Sequence, residues 1–269
     1  MSSGRAGRRR LIVAAVAAWA VLVVAVGAFS AFRDRPTWKD QTTLAQAHRT
    51  LDAATGELLR AAGPAAVPAL EAYEVLASCR ITPARGGTNL RRTVRLFTAV
   101  GTEEELLTRI VAGLPPGYRA ESSSGEVKSV FADAGNFVGL RGGPGDPGEV
   151  RFRISTDCRP GADPTLAAPV ADAAGREPVQ RALDLLGAAA TGWRAFVAPC
   201  PGGGQARTVE AEAPPWQGSL AAALARHPGS GVLADAQRYA YRDGDAGVAV
   251  RSGERSLLVT ATTGCPAAQ

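Results

Sequence analysis

Two stretches of this chain run through the same series of motifs, and each begins and ends on a cysteine. In the first, Cys79 is followed by RTVR (Arg92 to Arg95), a helix-forming stretch, VGLRGG from Val138, and VRFRISTDC, which ends at Cys158. In the second, Cys200 is followed by RTVE (Arg207 to Glu210), a helix-forming stretch, VAVRSG from Val248, and LLVTATTGC, which ends at Cys265. The closing strand takes nine residues in each, so the two registers are expected to agree. Four cysteines permit three pairings. A repeated unit selects Cys79 with Cys158 and Cys200 with Cys265, because each copy then carries its own bridge. The spacings are too wide for a CxxC redox motif or a zinc cluster, so these bridges are read as structural staples. Bridged cysteines belong in an oxidising, extracytoplasmic compartment.

Length agrees with a duplication. The 269 residues hold two modest domains. Net charge is +5, but Arg5, Arg8, Arg9 and Arg10 stand together at the start with no acid among them, and without them +1 remains. A nearly neutral body excludes a global nucleic-acid footprint. Leu11 to Phe29 is a run of nineteen residues with no charge and no proline. That length matches a single membrane-spanning helix, and the arginines before it place the amino terminus in the cytoplasm. A cleavable export signal is the alternative, with Ala28 and Ser30 near the cut, although its apolar stretch is normally shorter.

The expected organisation is a basic tip (1–10), a transmembrane helix (11–29), a stalk (30–41), a first domain (42–159), a linker (160–175) and a second domain (176–269). In the first domain, Asp40 is expected to cap a helix over 42–62, with Leu44, Leu51 and Leu58 recurring every seven residues and Gly63-Pro64 ending it. A strand over 72–82 and the RRTVRLFT strand then form a hairpin. Thr102 and Glu105 make a capping box for a helix whose Leu106, Leu107, Ile110, Val111 and Leu114 face the core. Strands follow near 118–122, 136–141 and 149–156. In the second domain, Glu177-Pro178 opens a helix, WRAFVAPC and ARTVEAE form the hairpin, and a helix runs over 215–227. Strands near 237–242, 247–251 and 256–262 complete it. The fold class is therefore α+β: a transmembrane helix followed by two tandem α-β-β-α-β-β-β helix/antiparallel-sheet sandwiches, each with one disulfide.

No catalytic residue, metal ligand set or cofactor motif emerges. The two histidines, His48 and His227, are a domain apart. GGPGDPG lacks a following GK[ST] and reads as a turn, as does Gly202 to Gly204. Asp243 and Asp245 lack the remaining ligands of a calcium loop. Ser122 to Gly125 is a loop without a GxSxG elbow. Glu103 to Glu105 favour the helix dipole.

One asymmetry between the copies points to binding. Strand alternation turns Val94, Leu96, Val138, Leu140, Val150, Phe152 and Ile154 inward, which leaves Arg95, Arg141, Arg151 and Arg153 on one outer face. The aligned residues of the second copy are Glu210, Arg251, Leu258 and Thr260, so three of four charges are gone there. Clustered guanidinium groups suit bidentate binding of phosphate or carboxylate, so anionic envelope polymers are candidate partners. The less charged face of the second copy, with Leu258 outward, is a candidate docking surface for the first copy or for a partner protein of the envelope.

The RRR-led apolar run, the Ala/Arg-rich composition and the cysteine-stapled outer part resemble single-pass exported proteins of high-GC Gram-positive bacteria. The resemblance covers layout only and implies no catalytic residue. The expected function is a membrane-tethered, non-catalytic extracytoplasmic binding or assembly module of the cell envelope. The alternatives are an envelope enzyme with a site at the interdomain cleft and a sensor of an anionic envelope ligand through the arginine face of the first domain.

Overall fold

The computed structural model describes residues 14–27, 42–82, 85–123, 125, 127–160, 166, 169–226 and 229–265. It divides into two compact units, Met1–Gln41 and Thr42–Gln269.

In the first unit, residues 14–27 form helix α1. This corrects the expectation of a transmembrane helix over 11–29. Among the described residues, no helix is long and apolar enough to cross a membrane. The basic tip, the stalk and Asp40 lie outside the described residues.

The second unit opens with α2 (Leu44–Ala62). Its N-cap is Thr43, which with Gln46 makes a full capping box. The seven-residue leucine spacing puts Leu44, Leu51 and Leu58 in the core. A hairpin follows, β1 (Val67–Thr82) and β2 (Arg85–Phe97), then α3 (Glu103–Gly113). Thr102 precedes α3 but makes no side-chain cap; its hydroxyl donates to the Ala99 carbonyl at 2.7 Å. The expected box therefore fails, and the neighbouring Glu103 accepts from the Gly148 amide instead. Strands β3 (Glu121–Ser122), β4 (Val130–Asp133), β5 (Gly139–Pro144) and β6 (Glu149–Ser155) complete the first half.

The second half starts with α4 (Ala173–Leu186), capped by Asp172 rather than opened at Glu177. Pro178 lies inside this helix. Strands β7 (Gly192–Pro199) and β8 (Gln205–Ala213) precede α5, which spans only Leu220–Leu224 and not the expected 215–227. Strands β9 (Ser230–Ala234), β10 (Arg238–Asp243), β11 (Ala246–Ser252) and β12 (Leu257–Thr263) follow. Both halves thus read α-β-β-α-β-β-β-β, one strand more than expected.

The two sheets share one strand order, β1-β2-β6-β5-β4-β3 and β7-β8-β12-β11-β10-β9, and every pairing is antiparallel. Their registers differ by two residues. Arg92 faces Ile154, whereas Arg207 faces Thr263 and not the sequence-aligned Ala261. An even shift keeps every side chain on its face, so the hydrophobic pattern tolerates it. Each half closes its own disulfide, Cys79–Cys158 and Cys200–Cys265. Gly87 makes the first bridge fit: a Cβ there would lie 2.5 Å from the Arg159 carbonyl oxygen and 2.9 Å from Cys158 Sγ.

Helices α2 and α3 cover the inner face of the first sheet, and α4 and α5 that of the second. The outer faces meet along β1 and β2, where Val67, Ala69 and Phe97 pack on Leu233, Ala240 and Ala249. Small residues permit this approach. A Cβ on Gly247 would come within 3.1 Å of Val67 Cγ1. On the other side of β1, Gly56 lets α2 touch β7, since a Cβ there would sit 1.9 Å from the Pro199 carbonyl oxygen. Polar stitches join the halves as well. The Leu70 amide on edge strand β1, beside a register shift, donates to Thr208 Oγ1 at 3.2 Å. Arg242 donates to the Pro64 carbonyl at 2.8 Å. An edge strand's unpaired amides are a liability in water, and here the second half takes one up. The expected docking of the second outer face occurs, carried by Ala240, Ala249 and Gly247, while Leu258 is half-buried.

Candidate functional site: an arginine face and a charged cleft

Register brings the four candidate arginines together. Arg95 lies opposite Arg151, and Arg153 lies opposite Arg141, all on the outer face of the first sheet. Their charges are not equivalent. Glu149, 1% exposed, shares that face, and its Oε1 accepts from Arg95 Nη1 at 2.7 Å and Arg151 Nη2 at 2.9 Å. Glu71 takes the Arg95 Nε. Burial pulls the Arg95 guanidinium toward neutrality, but hydrogen bonds and charge from Glu71 and Glu149 outweigh it, so the cation is reinforced. Arg95 and Arg151 are therefore compensated inside the protein. Arg141 and Arg153 are both exposed. The Arg141 guanidinium sits 5.7 Å from the centroid of Phe131, its partner on β4. Two adjacent cations on a rigid sheet remain open to an external anion.

Where the two outer faces diverge they leave a cleft of ≈ 510 Å³. The first half contributes Arg95, Asp146 and Glu149, and the second contributes Asp235, Arg238 and Arg251. Asp235 reads the start of β10: its Oδ1 accepts from the Arg238 amide at 2.6 Å, and its Oδ2 holds the Arg238 guanidinium at 2.7 Å. Arg238 also donates to the Pro147 carbonyl at 2.8 Å, which crosses the cleft floor. Arg251 is held less firmly, with Glu71 4.0 Å away. Burial lowers its pKa, and the nearby Arg95 adds to this. Glu210 lies behind, paired with Arg194 at 2.6 Å; its carboxyl is raised mainly by burial, against the pull of Arg194.

The other sequence candidates lie elsewhere. His48 is on α2, with Nε2 3.4 Å from Asp52, and does not line the cleft. His227 lies outside the described residues. Asp243 binds Arg181 at the turn between β10 and β11, which Gly244 closes at φ 58°. Of GGPGDPG, Gly142 to Pro144 end strand β5 and Gly145 to Gly148 form its turn into β6, while Gly202 to Gly204 lie in the turn between β7 and β8.

Sequence reasoning missed Arg92. It is 1% exposed on the inner face, in the same strand phase as Leu90, Val94 and Leu96. Its Nη1 donates to the Tyr73 hydroxyl at 3.0 Å and to the Val197 carbonyl at 2.7 Å, and its Nε donates to the Glu71 carbonyl at 3.2 Å. Tyr73 in turn donates to Asp52, and burial holds its phenol well above the ordinary range, so it stays protonated. A charge in an apolar phase was the signal. No protein-family model, curated protein or solved structure matches this chain.

Proposed function

We propose that the chain is an extracytoplasmic binding module that holds an anionic envelope polymer on the outer face of its first sheet. The observation that carries this reading is the Arg141–Arg153 pair, adjacent across β5 and β6, exposed, and flanked by Phe131. Paired guanidinium groups grip phosphate or carboxylate in bidentate fashion, and a flat sheet presents them at fixed spacing. The compartment rests on the two disulfides, which persist where thiols are oxidised. Binding is favoured over turnover because His48, one of the two histidines an enzyme reading would draw on, sits beside Asp52 away from both charged surfaces.

Titrating the full-length chain with polyphosphate and with polyglutamate tests this. The wild type is expected to bind at least one of them, with affinity falling as salt rises. Arg141→Ala together with Arg153→Ala should weaken binding about tenfold or more. Arg109→Ala, which removes an exposed arginine paired with Glu105 on α3, should leave it unchanged. Equal binding by the wild type and the double variant would refute the assignment.

A further inference from the structure

The cleft between the halves has hydrogen-bonding capacity that the protein leaves unused, and that capacity is sorted by sign. On the wall from the first half, Glu149 commits Oε1 to Arg95 and Arg151, while its buried Oε2 has no hydrogen-bond partner among the described residues. Glu149 is 1% exposed, so this is a carboxylate oxygen removed from bulk water. Beside it, Asp146 is exposed at the turn. On the wall from the second half, Arg238 commits Nε and Nη2 to Asp235, while its buried Nη1 has no partner among the described residues. Arg251 adds a guanidinium whose nearest carboxylate, Glu71, stands beyond hydrogen-bond reach at 4.0 Å. One wall therefore offers acceptors and the other offers donors.

The three arginines and three acids of the lining cancel in formal charge. A bare anion would meet the acids, and a bare cation would meet the arginines. A ligand that carries both charges and no net charge satisfies both walls. The cleft, at ≈ 510 Å³, lies in the range of small-molecule sites. We infer that this cleft binds a small zwitterion of the α-amino acid or dipeptide class, with its carboxylate on Arg238 and Arg251 and its ammonium on Glu149 and Asp146. Because the walls come from different halves, the ligand would bridge them. This inference uses residues other than Arg141 and Arg153, so its failure leaves the polymer reading standing.

The test is calorimetric titration of the full-length chain with the common α-amino acids and glycylglycine, followed by the N-acetyl and methyl-ester forms of the tightest binder. Each blocked form removes one charge and leaves a buried partner unmet. At least one zwitterion is expected to bind saturably below about 10 mM, and both blocked forms about tenfold more weakly or not at all. Arg251→Gln, which removes no side-chain hydrogen bond among the described residues, should weaken binding by about tenfold, and the exposed Asp146→Asn by less. Saturable binding of no member of the panel would overturn the inference. So would equal binding of the N-acetyl form, which would make the cleft a simple anion site, or equal binding of the ester.

Discussion

Replacing Arg92 with alanine is expected to lower folding stability by about 3–5 kcal/mol, the cost typical of breaking a buried ionic network from one side. The guanidinium is the hub of that network. It lies 4.6 Å from the centroid of the Tyr73 ring and 3.7 Å from Asp52, and it satisfies the Glu71 and Val197 carbonyls. Its removal strands two partly buried carbonyl oxygens, each costing up to about 1–3 kcal/mol, and leaves Asp52 with less compensation. Burial already presses on this arginine, pulling its pKa down from the ordinary value, so the partners are what hold the charge in place. The melting temperature should fall by about 10 °C, given roughly 2–4 °C per kcal/mol for a body of this size. Urea denaturation of the variant checks this, and a loss below about 1 kcal/mol would show that the network contributes little. Because Val197 belongs to β7, the damage should spread into the second half.

Removing the two disulfides is expected to have the larger effect. The bridges span 79 and 65 residues. In the chain-entropy model each loop closure stabilises the native state by about 4–5 kcal/mol. A domain of this kind has only about 5–15 kcal/mol in total, so the chain with all four cysteines replaced by alanine should be largely unfolded at 37 °C. Each double replacement alone should shift the urea midpoint downward without abolishing folding. Circular dichroism during urea titration reads both outcomes, and a midpoint unchanged in the four-alanine chain would contradict the staple role.

Much of this architecture could be read from local pattern. The disulfide pairing followed from the repeated cysteines, and the inward set Val94, Leu96, Val150, Phe152 and Ile154 is fully buried, as strand alternation required. The same alternation placed Arg95, Arg141, Arg151 and Arg153 on one face. Local pattern failed where few residues carry it. Strand β4 has four residues and β9 has five, too short for a period to stand out beside glycine-rich turns. Thr102 matched a cap by spacing, but its backbone, at φ −104° and ψ 10°, leaves the extended region that a capping side chain needs. The apolar run over 11–29 suggested a membrane span, but among the described residues no helix is long and apolar enough to make one.

The cleft was invisible for a different reason. Glu149 and Arg251 meet only because the outer faces of two sheets are pressed together, and no spacing along the chain encodes that approach. Its traces are single small residues, Gly56 and Gly247, whose absent side chains admit the other half. Glu149, which quiets Arg95 and Arg151, stands in the sequence only as one more charge at the start of a strand. Its double hydrogen bond to both arginines required the register of β2 with β6.

The shared core and the cleft inferred from it depend on the two halves behaving as one body, with the stitches through Arg92, Leu70 and Arg242 holding the facing sheets. Differential scanning calorimetry of the full-length chain measures that most directly. The predicted result is a single transition for the body spanning Thr42–Gln269, with calorimetric and van't Hoff enthalpies in agreement. Two resolved transitions, with Arg92→Ala moving only the one that belongs to the first half, would mean that the halves are independent domains and that the cleft between them has no fixed geometry.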